Sequence, residues 1–200
     1  MYFIARFCVT LAMLFRFRLK VEGRENIPRQ GAFVLCANHI HALDPLALAI
    51  AVPRRLSFMG KKELFANPLG GRFFRILGAF PVDRGGADMS AYRMAIKRLA
   101  AGHGLLVFSQ GTRMQVLNIA DTKGGAALFS VKAKVPVVPV GISSSYRWFA
   151  PVTVRFGAPV SLEAYHGARL ASQQVDDIMQ GLMAQVETLA SQKESLPCAP

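Results

Sequence analysis

The sequence predicts one α/β domain, on three observations. Short apolar runs of strand length alternate with segments of helical periodicity. No internal repeat and no interdomain linker interrupts them. At 200 residues, 52% of them hydrophobic, the chain is the right size for a single core. The same composition excludes collagen-like, mucin-like and disordered readings.

The elements follow in order. Residues 1–19 form a greasy segment in which the clean apolar stretch between Arg6 and Arg16 is nine residues long. A membrane span needs roughly 20, and no small-residue cleavage site follows. An interfacial helix with arginine flanks is the expectation. Phe15 to Glu22 then alternates apolar and charged residues, which is strand periodicity. Gly23 to Gly31 reads as a turn, and Ala32–Ala37 as a buried strand. A helix is expected from Pro45 with Asp44 as its cap. Leu56–Gly60 and Phe80–Val82 are weak strands, separated by the basic and aromatic stretch Lys61–Arg75. Tyr92, Ala95, Ile96 and Leu99 mark a helix over 87–101 that ends at Gly102. Leu105–Phe108 is a buried strand, Gly124–Lys132 a helix of small residues, and Val152–Phe156 a strand. Val135–Ile142 is a strand whose two prolines suggest an edge or an irregular ladder. The stripe from Val175 to Leu189 predicts a last helix over about 170–190. The domain therefore covers 20–190, with a loose tail over 191–200.

Charge divides unevenly. Residues 1–160 carry 22 basic and 7 acidic side chains; residues 161–200 carry 2 and 5. A greasy chain with a net charge of +12 suits a domain lying on an anionic surface. Arginine outnumbers lysine 16 to 8, which favours forked recognition of phosphate or carboxylate. Cys8, Cys36 and Cys198 are odd in number, widely spaced and without a CxxC, a pattern that argues against a disulfide scaffold or a metal centre and suits a reducing compartment.

Four constellations could carry chemistry. Asn38-His39-Ile40-His41-Ala42-Leu43-Asp44 follows a buried strand and precedes a helix, a common site position in α/β folds. A histidine base gains from a carboxylate that fixes its tautomer. On an ideal helix, His39 and Asp44 would point about 140° apart, so they meet only if the loop folds back, and Pro45 favours that by disfavouring helix at Asp44. The residues alone leave open a loop histidine beside an N-capping aspartate, and His41 competes as the base. Phe108 to Arg113 follows another strand; Gly111, Thr112 and Arg113 offer close backbone approach, a hydroxyl and a forked cation. Taken alone, that turn is better read as a surface turn with a solvated arginine, and Asp83-Arg84 after Gly78 as a surface ion pair. No P-loop and no Gly-x-Ser-x-Gly occurs. Lys123-Gly124-Gly125 and Val135 to Gly141 read as core packing.

Together and in order, these blocks resemble the glycerolipid acyltransferase family of 1-acyl-glycerol-3-phosphate (lysophosphatidate) acyltransferases. The family's NHxxxxD, GxxFxxR, FPEGTR and VPxxPVxI-like blocks correspond to Asn38–Asp44, Gly78–Arg84, Phe108–Arg113 and Val135–Ile142. The resemblance covers roughly Val21 to Val160. It implies a mixed sheet flanked by helices, with the site at a sheet edge beside the bilayer. It implies His39 as general base and Asp44 as its orienting carboxylate. Arg84 and Arg113 would bind the acceptor's phosphate, with Gln110, Gly111 and Thr112 shaping the turn. The chain departs from the family at Ser109 and Gln110, where proline and glutamate are usual; glutamine keeps the length and an acceptor oxygen but loses the charge.

The expected reaction is acyl transfer from an acyl carrier protein or coenzyme A thioester to the hydroxyl of a lysophospholipid, in phospholipid biosynthesis, with no cofactor and no metal. The expected partners are that acceptor, the thioester donor and an anionic membrane surface on the cytoplasmic face of the inner membrane. Arg6, Arg16, Lys61, Lys62, Phe65, Arg72, Phe73 and Arg75 are the expected membrane contacts. Another lysolipid acceptor, such as ornithine lipid, is an alternative, and so is a non-catalytic lipid-binding relative. A nucleic-acid binder stacking bases on Lys61–Arg75 is opposed by the apolar fraction and the hydrophobic start.

Overall fold

The computed structural model describes residues 2–83, 88–108 and 124–192. Helix α1 (Tyr2–Arg16) leads into strand β1 (Arg18–Glu22), then β2 (Phe33–Ala37) and α2 (Asp44–Ala51). Strand β3 (Leu56–Lys61), helix α3 (Pro68–Ile76), strand β4 (Ala79–Val82), helix α4 (Met89–Ala100) and strand β5 (Gly104–Phe108) follow. Helix α5 (Gly125–Ala133), strands β6 (Val137–Ser143) and β7 (Pro151–Phe156), and helix α6 (Ser172–Ser191) complete the domain. The strands form one seven-stranded sheet in the order β1-β7-β6-β2-β5-β3-β4. Every neighbouring pair is parallel except β6–β7, so the sheet is mixed, as the family resemblance implies.

Strand β2 shows why the middle of the sheet reads as continuous hydrophobic sequence. All five of its residues are buried, and they alternate between two cores. Val34 and Cys36 point to α4, α5 and α6, whereas Phe33, Leu35 and Ala37 point to α2. A strand covered on both faces has no polar side to show. The α6 stripe buries Met179, Leu182 and Val186 on the first of these faces. The helix crosses β6 so closely that a Cβ at Gly141 would lie 2.4 Å from the Ala190 backbone nitrogen. Arg155, only 4% exposed, joins β7 to the edge strand through Glu22 at 2.7 Å and to the Leu189 carbonyl at 3.2 Å.

Three local expectations are corrected. The alternation starting at Phe15 is helical for its first two residues: α1 runs to Arg16 and leaves Phe15 75% exposed, and the strand starts at Arg18. Asp44 does not cap α2. It is the first helical residue, Leu43 is the cap, and the carboxylate reaches back over the preceding loop. Strand β6, with Pro139 inside it, lies between β7 and β2 rather than at an edge. The irregular ladder is the expectation that holds: the antiparallel register shifts by one residue between Val140–Phe156 and the Val137–Val160 bridge. The Pro139 carbonyl accepts from Gly157 at 2.8 Å, so this residue's polar groups face β7, just past the Val140–Phe156 pair. The missing donor therefore falls beyond the end of the antiparallel ladder and leaves the β2 pairing intact.

A third cluster binds α1 to the domain. Val9, Met13 and Phe17 pack with Ala47, Ile50, Leu77, Tyr146 and Val152. The other side of α1 presents Phe3, Ile4, Phe7, Leu11, Leu14 and Phe15, each at least 53% exposed. Among the described residues no helix is long and apolar enough to cross a membrane.

Candidate active site

Strand β2 delivers the chain to the site through Asn38, which is 6% exposed. Its side-chain amide donates to the Ile142 carbonyl at 2.8 Å and accepts from the Ile142 N–H at 2.7 Å. The amide thereby extends the β2–β6 ladder one step beyond Ala37–Val140 and satisfies two buried backbone groups. The main chain is released from the sheet at this point, and His39 emerges at the carboxyl end of the strand.

The loop then wraps around the Asp44 carboxylate, which is fully buried. Oδ2 of Asp44 accepts from the Ile40 and His41 backbone N–H groups, each at 2.7 Å, and lies 2.7 Å from Nδ1 of His39. Oδ1 accepts from the Tyr146 hydroxyl at 2.5 Å. Burial pushes the Asp44 carboxyl up, but His39, Tyr146 and the two N–H donors outweigh it and hold the group below its ordinary range. The carboxylate stays ionised and its lone pairs are committed. With Nδ1 of His39 turned to Asp44, Nε2 is on the opposite edge of a ring whose side chain is 40% exposed. The ring lies 4.1 Å above Phe108 at 20°, so the end of β5 forms its floor.

Tyr146 could not be found from the sequence. It lies 102 residues from Asp44, in a serine-rich turn without a motif. Its φ of 51° is left-handed, a conformation that strains a non-glycine residue. Its N–H donates to the Ser144 hydroxyl at 2.9 Å, and its ring meets Phe17 edge-on at 5.5 Å. Burial and the Asp44 carboxylate push the phenol far above its usual range, so it stays a donor. His41, the competing base, stacks on Tyr146 at 4.2 Å and accepts the Leu43 N–H at Nδ1. It has been used to close the loop.

The other expected site residues divide. Arg84, Gln110, Gly111, Thr112 and Arg113 lie outside the described residues. Asp83 is within reach of Lys62 at 3.6 Å. Of the expected membrane contacts, Lys61, Lys62 and Arg72 are exposed and Phe73 is 37% exposed. Phe65 is half-buried against Phe74, under the Arg75 guanidinium at 5.2 Å. Arg16 lies over the exposed Trp148 ring at 4.0 Å. Arg6 is turned inward, donating to the Ile50 carbonyl at the end of α2 at 3.0 Å. Among the described residues, no three His, Cys, Asp or Glu side chains come together as a metal site would require.

Comparisons with known proteins bear on this geometry. Residues 18–143 match a family model described as Acyltransferase. The chain is 36% identical over 153 residues to a 1-acyl-sn-glycerol-3-phosphate acyltransferase of Streptococcus pneumoniae, covering 70% of this chain and 55% of that protein. It is 34% identical over 122 residues to the Bacillus subtilis protein of the same name, covering 60% of each. The crystal structure of the 1-acyl-sn-glycerophosphate (LPA) acyltransferase PlsC from Thermotoga maritima superposes with a TM-score of 0.70 at 27% identity. That match covers 97% of this chain and 81% of PlsC. The chain thus spans little more than half the length of the two curated relatives.

Proposed function

This chain belongs to the acyltransferase family, and from that premise we propose that it acylates lysophosphatidate or a related lysolipid in phospholipid biosynthesis. The donor is an acyl thioester of acyl carrier protein or coenzyme A. The observation that carries the reading is the 2.7 Å contact between Nδ1 of His39 and a fully buried, ionised Asp44.

The roles follow from that contact. Nε2 of His39 takes the proton from the acceptor hydroxyl as its oxygen attacks the thioester carbonyl carbon. Asp44 holds the ring and stabilises the imidazolium that forms. When the tetrahedral intermediate collapses, the carbon–sulfur bond breaks and the imidazolium returns its proton to the leaving thiolate. The acyl group ends as an ester on the acceptor. Arg84 and Arg113, with Gln110, Gly111 and Thr112, bind the acceptor's phosphate. Gln110 in place of the family glutamate favours a second reading, in which the acceptor is another lysolipid such as ornithine lipid.

The enzyme sits peripherally on the cytoplasmic face of the inner membrane. The apolar row on α1 enters the headgroup boundary, and Trp148 and Phe149, both over 60% exposed, flank its carboxyl end. Lys61, Lys62 and Arg72 face the anionic lipid beside it. The test is a panel assay of the purified protein with both donors against several lysolipids. Transfer by the parent protein, lost in His39→Ala, is the expected result. Near-normal transfer by His39→Ala would sink the assignment.

A further inference from the structure

The sheet has a second end, and its chemistry is also specific. At the amino ends of β3, β4 and β5 lies a cavity of about 210 Å³. It is lined by Tyr2, Arg55, Ser57, Arg75, Arg98 and His103, with no acidic side chain in its wall. Among the described residues none of Arg55, Arg75 and Arg98 has an ion-pair partner. Nε of Arg98 is buried and has no hydrogen-bond partner among the described residues. A guanidinium N–H in that position costs free energy unless a water or a ligand accepts from it. Burial, then Arg98, Arg55 and Arg54, hold His103 below its ordinary pKa. Arg54 itself is committed to the Pro28 and Gly102 carbonyls. Three forked cations around one small space suit a tetrahedral anion with several acceptor oxygens.

We propose that this cavity, lined by Arg55, Arg75, Arg98 and His103, is a phosphate-binding site separate from the acyl-transfer centre. The two end residues of β5 are about 13 Å apart at the usual rise per residue, so a phosphate here is not the phosphate of an acceptor whose hydroxyl lies at His39. Helix α1 connects the two places. Tyr2, its first described residue, lines the cavity, and Phe17, just past its end, touches Tyr146 at the acyl-transfer site. The outer face of that helix is apolar throughout. A resident anionic phospholipid is therefore the source this geometry favours, with its chains beside α1 and its phosphate in the cavity. That source rests on the interfacial reading of α1 given above; the phosphate site does not.

The experiment uses the full chain and has two arms. In the first, melting is followed in inorganic phosphate and in chloride at matched ionic strength. Phosphate stabilises the parent protein, and the shift disappears in Arg98→Gln and in Arg55→Gln. Arg55 is exposed, so its variant keeps the test alive should Arg98→Gln fold poorly. The shift persists in Arg93→Gln, an exposed arginine of α4 outside the cavity. In the second arm, the protein is sedimented with phosphatidylcholine vesicles carrying either phosphatidic acid or an equal charge of fatty acid. The parent prefers the phosphatidic acid vesicles, and Arg98→Gln weakens that binding about tenfold. A phosphate shift without a vesicle preference assigns the site to soluble phosphate esters. Loss of all vesicle binding would count against the docking of α1 and leave the first arm standing. If the three variants behave alike in the first arm, or phosphate stabilises none of the proteins, the proposal is overturned.

Discussion

Tyr146 and Asp44 are joined hydroxyl to carboxylate, and the oxygen used is Oδ1, not the Oδ2 that faces His39. One carboxylate therefore has a side turned to Tyr146 and a side turned to His39, the proposed base. Tyr146 acts on His39 only through Asp44, as a positioning residue. Tyr146→Phe keeps the ring that stacks on His41 and meets Phe17 edge-on but removes one charge-assisted hydrogen bond. It should lower kcat by about tenfold with little change in KM. Steady-state kinetics against lysophosphatidate checks this; a change confined to KM would contradict it.

Asp44→Asn tests the other side of the same group. The size is kept and the charge is lost, so His39 can settle in the wrong tautomer. Turnover should fall by about 10³-fold or more. Stability should also change with pH. Unfolded, the carboxyl titrates near its ordinary value of about 3.9; folded, it titrates lower. Its contribution is in place above that ordinary value and drains away as pH falls below it. Tyr146 has the opposite sign: its folded pKa is raised, so its contribution is whole below about pH 10 and is lost as pH rises beyond. Urea midpoints across pH should show both limbs in the parent. Asp44→Asn should flatten the acid limb, and Tyr146→Phe the alkaline one.

Asn38→Ala removes the amide that closes the ladder to Ile142. Two buried backbone groups lose their partners, at a cost of about 2–3 kcal/mol. The urea midpoint should drop accordingly. Residual activity should drop further than the folded fraction alone explains, because the loop that starts at His39 loses its fixed origin. Equal losses of fold and activity would show that Asn38 only holds the sheet.

Phe7→Glu with Leu11→Glu places two charges in the exposed row of α1 without touching Val9 or Met13 on its inner side. Each apolar side chain is worth roughly 1.5–3 kcal/mol on burial, so vesicle binding should weaken about 100-fold or more. The melting temperature in solution should stay near that of the parent. Vesicle sedimentation and a thermal scan test the pair. Raising salt should weaken the parent's binding to anionic vesicles, as screening of Lys61, Lys62 and Arg72 requires.

Period-2 and period-3.6 patterns carry much of the fold. Val34 and Leu105 reveal buried strands because a sheet covered on both faces must be apolar throughout. Met179, Leu182 and Val186 reveal α6 because only one face is covered. The NHxxxxD spacing located His39 and Asp44, and Pro45 favoured a loop that folds back, but the residues alone left open an Asp44 that only caps α2. Tyr146 was invisible for a different reason: its partner is remote in sequence, and its turn carries no pattern. Pro139 pointed correctly to an irregular ladder and wrongly to an edge, because a missing donor matters only where a neighbour needs it. The inward turn of Arg6 was hidden too, since a flanking arginine looks the same whether it faces lipid or the end of a helix.

The placement of α1 changes how the enzyme's speed should be expressed. Its outer face is apolar, while its inner end holds Phe17 against Tyr146 and so reaches Asp44. Seated on lipid as proposed, the protein would draw its acceptor from a two-dimensional solution. At fixed bulk concentration, adding inert lipid would thin the acceptor around α1 and slow the reaction, and the relevant variable would be the acceptor's mole fraction in the surface rather than its molarity in the tube.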